Sequence, residues 1–257
     1  MERAGPPTHL FYRFLQGQQT LSKCFDRLLP VEYQVDGNRD FVDHWIEPYL
    51  RRGSVVYDVG GGKNPVINMD GKRRLGLRLV GLDIDEDELA SSPSGVYDER
   101  ICADITRYRG QADADLVVCQ ALLEHVKDSQ AAITAIASIL KPGGTALIFL
   151  PSRNAVFARI NLLLPQQLKR KILHAVFPST KRNQGFPAYY DHCTPADFRR
   201  LAANSGLTVD LCTVYFRSSY FMFFFPLHFV WRIWMLVFRY LAKEQAAETF
   251  SLALRKT

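Results

Sequence analysis

The chain has no Cys-x-x-Cys pair. Its five cysteines (Cys24, Cys102, Cys119, Cys193 and Cys212) are odd in number and widely scattered. That spacing offers neither a zinc site nor a disulfide framework, and a reduced intracellular compartment is the simpler reading. Met1 to Leu10 lacks the charged-then-apolar pattern of a secretory leader, which argues against export. No internal repeat and no low-complexity linker interrupts the 257 residues. One domain, or one domain with a substantial insertion, is therefore expected. The uncharged run from Ser218 to Trp231 is shorter than the roughly 20 apolar residues that cross a bilayer.

Acid is missing locally. Pro151 to Tyr190 contains no Asp or Glu but holds Arg153, Arg159, Lys169, Arg170, Lys171, Lys181 and Arg182. Leu211 to Lys243 again has no acid, with Arg217, Arg232, Arg239 and Lys243. These cations more than account for the formal net charge of +6, so the rest of the chain is acidic on balance. Both stretches are also strongly apolar: Ile160, Leu162–Leu164, Leu168, Ile172, Leu173, Val176 and Phe177 in the first, Ser219 to Tyr240 in the second. Arg232 and Arg239 lie seven residues apart, on one helical face. Aromatic and aliphatic residues with cations alongside describe a helix lying in an anionic membrane interface. Two other readings remain: helices packed on the core as a substrate cap, and a span helped by snorkelling arginines.

Along the chain, residues 1–35 give weak signals of loops and short helices. Phe41, Val42, Trp45, Ile46, Tyr49 and Leu50 recur at helical spacing, interrupted by Pro48 and ended by Gly53. Strands are expected at Ser54–Val59, Arg78–Leu82, Arg100–Cys102, Asp115–Cys119, Thr145–Leu150, Leu207–Phe216 and Glu248–Arg255. A helix over Gln130–Leu140 stops at Lys141-Pro142-Gly143-Gly144. Another starts at Thr194-Pro195, with Thr194 as N-cap, and runs to about Ser205. The alternation implies an α/β fold, a doubly wound and mostly parallel sheet with helices on both faces. The expected organisation is an N-terminal helical segment over 1–53 and one domain over 54–257. That domain carries a cap inserted at about 153–193 and an amphipathic aromatic segment at about 218–243.

Five motifs carry chemistry. Asp58-Val59-Gly60-Gly61-Gly62 follows the first strand, where glycines let a nucleotide approach the backbone. Asp83-Ile84-Asp85 follows the second, where a carboxylate can accept both hydroxyls of a ribose. Asp85 there reads as a helix N-cap. Asp104-Ile105 follows the third, suited to an adenine amino group and ring. The fourth is Asp115 through Leu123-Glu124-His125-Val126, and the fifth is the Lys-Pro-Gly-Gly turn. In order and spacing these resemble class I S-adenosylmethionine-dependent methyltransferases, over about 54–152 and 194–255. The resemblance implies a seven-stranded sheet whose last strand is antiparallel. It implies that Asp58, Gly60, Gly61 and Gly62 hold the methionine end of S-adenosylmethionine and that Asp83 binds the ribose, with Ile84 beside it. Asp104 and Ile105 would contact the adenine, and Cys119 and Gln120 would lie beside the cofactor. Asn64 stands where the family often has a third glycine. A nicotinamide dehydrogenase would share the loop and ribose acid, but the Lys-Pro-Gly-Gly turn and Leu-Glu-His-Val favour a methyltransferase.

Methyl transfer to oxygen needs a base within hydrogen-bond reach. His125 and His192 are the candidates, ahead of Asp191 and Glu124. Some quinone O-methyltransferases of this fold place a metal on two glutamates and a histidine. Glu124 and His125 match, but the earlier acidic position reads Ala121, so no metal is expected. Pro151–Asn154 and Tyr189–Asp191 resemble methyltransferases of bacterial cell-surface polysaccharide assembly. The expected acceptor is a sugar hydroxyl on a lipid-linked glycan or another small molecule, methylated by an enzyme lying peripherally on the cytoplasmic membrane face. The alternatives are an isoprenoid quinone or other lipid, RNA, and a non-catalytic adaptor that kept the fold. Cations interleaved with aliphatic residues, rather than with exposed stacking aromatics, argue against RNA.

Overall fold

The structure, a computed structural model, describes residues 9–164 and 186–257. Seven strands form one sheet: β1 Val55–Val59, β2 Arg78–Asp83, β3 Glu99–Cys102, β4 Ala114–Gln120, β5 Leu140–Pro151, β6 Leu207–Tyr215 and β7 Thr249–Lys256. Their order is β3-β2-β1-β4-β5-β7-β6. β1 to β5 are mutually parallel, and β7 pairs antiparallel with β5 and β6. Register brings Asp58 beside Gly81 and Val59 beside both Leu82 and Cys119. The sheet therefore has the doubly wound form expected from the alternation and the antiparallel last strand that the resemblance implies.

Successive side chains of a strand point to opposite faces, and helices cover both, so the central strands β1, β2, β4 and β5 are mostly buried along their length. One face packs Tyr57, Val59, Val117, Cys119, Ile148 and Leu150 against α4 (Ser129–Ile139) and α6 (Pro195–Asn204). The other packs Val56, Leu79, Val118, Leu147 and Phe149 under Phe41, Trp45, Ile67 and Leu89. The helices between are α2 (Met69–Leu75), which fills the long Lys63–Asp83 connection, and α3 (Glu86–Ala90). Local chemistry sets the helix ends: Asp128 caps α4, Thr194 caps α6 through Asp197 N, and Asp85 caps α3 through Asp87 N and Glu88 N. Lys141–Gly144 is a bulge within β5: Leu140 pairs with Ala114, and the next pair is Thr145 with Leu116. Gly143 takes φ +78°, which suits glycine there.

Two expectations are corrected. The first 35 residues contain an 18-residue helix, α1 (His9–Asp26), not short pieces. It packs on α7 (Phe225–Ala242), the aromatic segment. Arg232 is not an interfacial cation. It is fully buried; its Nε donates to Asp26 Oδ1 at 2.7 Å, and its other nitrogens donate to the carbonyls of Phe216 and Tyr33. His228, also buried, donates to the same Asp26 oxygen at 2.9 Å. A charge deep in an apolar contact is stable only when paired, and α1 supplies the partner. The other helical face of α7 is exposed and apolar: Val230, Ile233, Trp234, Val237, Tyr240 and Leu241. No helix among the described residues is long and apolar enough to cross a membrane.

The expected cap begins with α5 (Val156–Leu163). Its ends meet: Arg153 N donates to Cys193 O at 2.7 Å. Leu168 to Phe177 and the cations Lys169, Arg170, Lys171, Lys181 and Arg182 lie outside the described residues.

Candidate active site

The site is built at the carboxyl edge of the parallel strands, where β1, β2 and β4 end side by side. In this fold class that edge is where ligands sit. The turn after β1 has Gly60 at φ +82° and Gly62 at φ +49°, and Gly60 N donates to Leu82 O at 2.8 Å. A Cβ on Gly61 would lie 2.4 Å from the Asp58 carboxylate, and one on Gly62 would lie 3.2 Å from Asp83 Oδ2. The bare backbone and Asp83 thus converge from neighbouring strands, as an adenosyl ligand requires. Asp83 is half-buried; burial raises its pKa, against the opposing backbone bonds from Asp85 and Ile84.

Asp58 lies beneath the turn rather than in the open. Its Oδ2 accepts from Val66 N at 2.8 Å and from the Tyr97 hydroxyl at 3.0 Å. Burial pushes its pKa up to about 6, although those two hydrogen bonds pull the other way. It shapes the loop, and Tyr97, which the sequence did not single out, holds it there. Ile84 is exposed at the strand end. Asp104 Oδ1 accepts from Thr106 N at 2.9 Å and from its hydroxyl at 2.8 Å, which leaves Oδ2 without a hydrogen bond among the described residues. The side chains of Ile105 and Cys119 are buried in the core cluster with Val59 and Val117. Gln120 Nε2 donates to Asn38 Oδ1 at 2.8 Å, tying the 37–40 turn to the end of β4. Nothing in the local sequence around Asn38 signals that contact.

After β4 the chain turns back toward the glycines. Ala121 takes φ +52°, and the Leu122 side chain lies 3.0 Å from where a Gly60 Cβ would be. A single turn, Leu123–His125, follows. Glu124 is buried, its Oε2 has no hydrogen-bond partner among the described residues, and burial pushes its pKa up to about 8. Its carbonyl accepts from Tyr189 N at 2.7 Å and Tyr190 N at 3.0 Å, which fastens the far end of the insertion over the site. His125 Nδ1 donates to Pro187 O at 3.1 Å, so in the neutral ring Nε2 carries the lone pair. That Nε2 lies 3.8 Å from Glu124 Oε1. His192 is placed differently. Its Nδ1 donates to Asp191 Oδ1 at 2.8 Å, and Asp191 Oδ2 in turn accepts from Ser129 N, at the start of α4. Tyr220 stacks on Phe157 at 4.2 Å, carrying the 218–224 segment onto α5. A separate cavity of about 360 Å³ between Pro48, Asp115, Lys141 and Arg255 opens at the opposite, amino-terminal edge of the strands and is unconnected with these groups.

The family model named for the methyltransferase domain matches residues 32–211. The chain belongs to that family. Its cofactor is S-adenosylmethionine, and the glycine turn with the facing Asp83 carboxylate fits that group. The chain is 29% identical over 163 residues to the ubiquinone biosynthesis O-methyltransferase of Cupriavidus pinatubonensis, covering 60% of each. It is 30% identical over 178 residues to the enzyme of that name from Xanthomonas axonopodis, covering 66% of this chain and 68% of that one. The first match spans less than two thirds of the relative's length. Among solved structures, an S-adenosylmethionine-dependent methyltransferase from Mesorhizobium loti superposes with a TM-score of 0.54 at 15% identity, covering 87% of this chain and all of that one. That likeness establishes the fold.

Proposed function

We propose that this methyltransferase transfers a methyl group to a hydroxyl of a lipid-soluble aromatic acceptor, of the quinol kind, at the surface of an anionic membrane. The observation that carries the reading is the Glu124–His125 pair at the end of β4, linked to the glycine turn through Leu122. S-adenosylmethionine, when bound, supplies the methyl group and its own leaving group. Asp83 orients the ribose, Asp104 is available to the adenine amino group, and the bare Gly60–Gly62 backbone admits the methionine end. His125 Nε2 takes the acceptor's proton, its ring held by the Nδ1 hydrogen bond to Pro187 O. A base of this kind matches a phenol, whose pKa is about 10 as in tyrosine, far better than an aliphatic alcohol. The relatives named for ubiquinone O-methylation support a quinol-type acceptor over the sugar hydroxyl that the sequence suggested. The exposed apolar face of α7 supports delivery from a membrane.

The test is methyl transfer from labelled cofactor to a detergent-solubilised hydroxylated polyprenyl phenol, against a membrane extract containing lipid-linked glycan. Label in the phenol, lost in His125→Ala and kept in His192→Ala, supports the reading. Label confined to the glycan fraction returns the acceptor to a sugar, and equal loss in both histidine variants removes the assigned base.

A further inference from the structure

A small basic notch lies beside the contact between α1 and α7. It has a volume of about 200 Å³ and is lined by Lys23, Asp26, Arg27, Gln34 and Arg217. Lys23 and Arg27 sit one helical turn apart at the end of α1, with Arg27 N donating to Lys23 O. Arg217 reaches in from the start of the aromatic segment, donating to Gln34 O at 3.0 Å. None of the three cations has an acidic partner within ion-pair distance among the described residues. The acid that is present faces inward: Asp26 Oδ1 is taken by His228 and Arg232. The notch is therefore a cationic depression whose only carboxylate is already neutralised from behind.

Its rim is apolar. Leu28 and Val31, directly after α1, are 80% and 75% exposed. The wide apolar face of α7 lies on the same helical pair. Cations at one level and protruding aliphatic side chains beside them match the two layers of a lipid surface, headgroup and acyl chain. We propose that Lys23, Arg27 and Arg217 hold the phosphate of an anionic lipid headgroup while Leu28 and Val31 enter the acyl boundary. This seats the α1–α7 pair on the leaflet. The inference rests on the membrane part of the proposed function and names the ligand for it.

The experiment is co-sedimentation of the full chain with vesicles of phosphatidylcholine containing phosphatidylglycerol, and with phosphatidylcholine alone. Affinity for an anionic surface falls about fivefold for each contacting cation removed. Lys23→Gln with Arg27→Gln should therefore lose about 25-fold on the anionic vesicles. Arg73→Gln with Arg109→Gln, the same change of net charge on exposed residues elsewhere, should lose little. Equal loss in the two pairs overturns the notch in favour of overall charge. Calorimetric binding of millimolar inorganic phosphate with no binding to anionic vesicles overturns the lipid as its source. Calorimetric affinity for S-adenosylmethionine is measured on every variant. Cofactor binding without vesicle binding sinks the lipid site and leaves the enzyme reading standing. Vesicle binding without cofactor binding does the reverse.

Discussion

Two buried carboxyls in the site keep their protons at unusual pH. Glu124 is pushed up to about 8 and Asp58 up to about 6, both chiefly by burial. A carboxyl whose folded pKa exceeds its unfolded value binds its proton more tightly when folded, so stability declines as pH rises from the unfolded value through the folded one. For Glu124 that window runs from the ordinary glutamate value of 4.5 to about 8. Thermal unfolding of Glu124→Gln should therefore show a flatter pH dependence and a higher Tm than the parent at pH near 8, with methyl transfer reduced. A parental Tm that rises over this range would contradict the assignment. Asp83→Ala removes charge-assisted hydrogen bonds of about 1.5–3 kcal/mol, so calorimetry should show cofactor affinity about 10–100-fold weaker. Gly61→Ala places a methyl 2.4 Å from the Asp58 carboxylate and should cost about 1–3 kcal/mol in chemical denaturation while weakening cofactor binding. Asp83 and the glycines were legible in the sequence because strand ends and turns are local features. Tyr97, Leu122 and Asn38 were not, because each acts across a contact made by a different strand or turn.

At the scale of elements, α6 and the Lys-Pro-Gly-Gly bulge announced themselves through caps and turns. α1 did not. Its inward face carries Ser22 and Asp26, both buried, so apolar residues alone do not mark that face. Those polar positions make sense only against α7, where Ser22 Oγ donates to Met222 O at 3.1 Å and Asp26 meets His228 and Arg232. Burial would raise the Asp26 pKa, but the hydrogen bonds and charges of His228 and Arg232 outweigh it and hold it low. Removing one partner of a buried ion pair costs about 3–5 kcal/mol, whereas replacing both with apolar residues costs far less. Arg232→Met should therefore destabilise the protein strongly in urea unfolding, and Asp26→Leu with Arg232→Met should recover most of the loss. If the double variant is as unstable as the single, the pair is not the link between α1 and α7.

Across the whole molecule, the exposed apolar face of α7 is larger than folding requires. Tyr240 and Leu241 are 85% and 72% exposed. Replacing both with serine should leave Tm unchanged and weaken association with anionic vesicles by about tenfold or more, from the apolar area withheld from the membrane. Unchanged association would remove α7 from the contact. The sequence by itself determined the strand-and-helix alternation, the glycine turn and the strand-end carboxylates, because periodicity, capping and turn chemistry act over a few residues. It also located the acid-free, apolar stretches. Only the tertiary structure decided which of their cations face water. Arg232 points inward because Asp26, more than two hundred residues earlier, supplies the charge that its burial demands. Likewise, Leu122 comes to lie against the glycine turn because β4 ends next to β1, a neighbour relation set by sheet order rather than by distance along the chain.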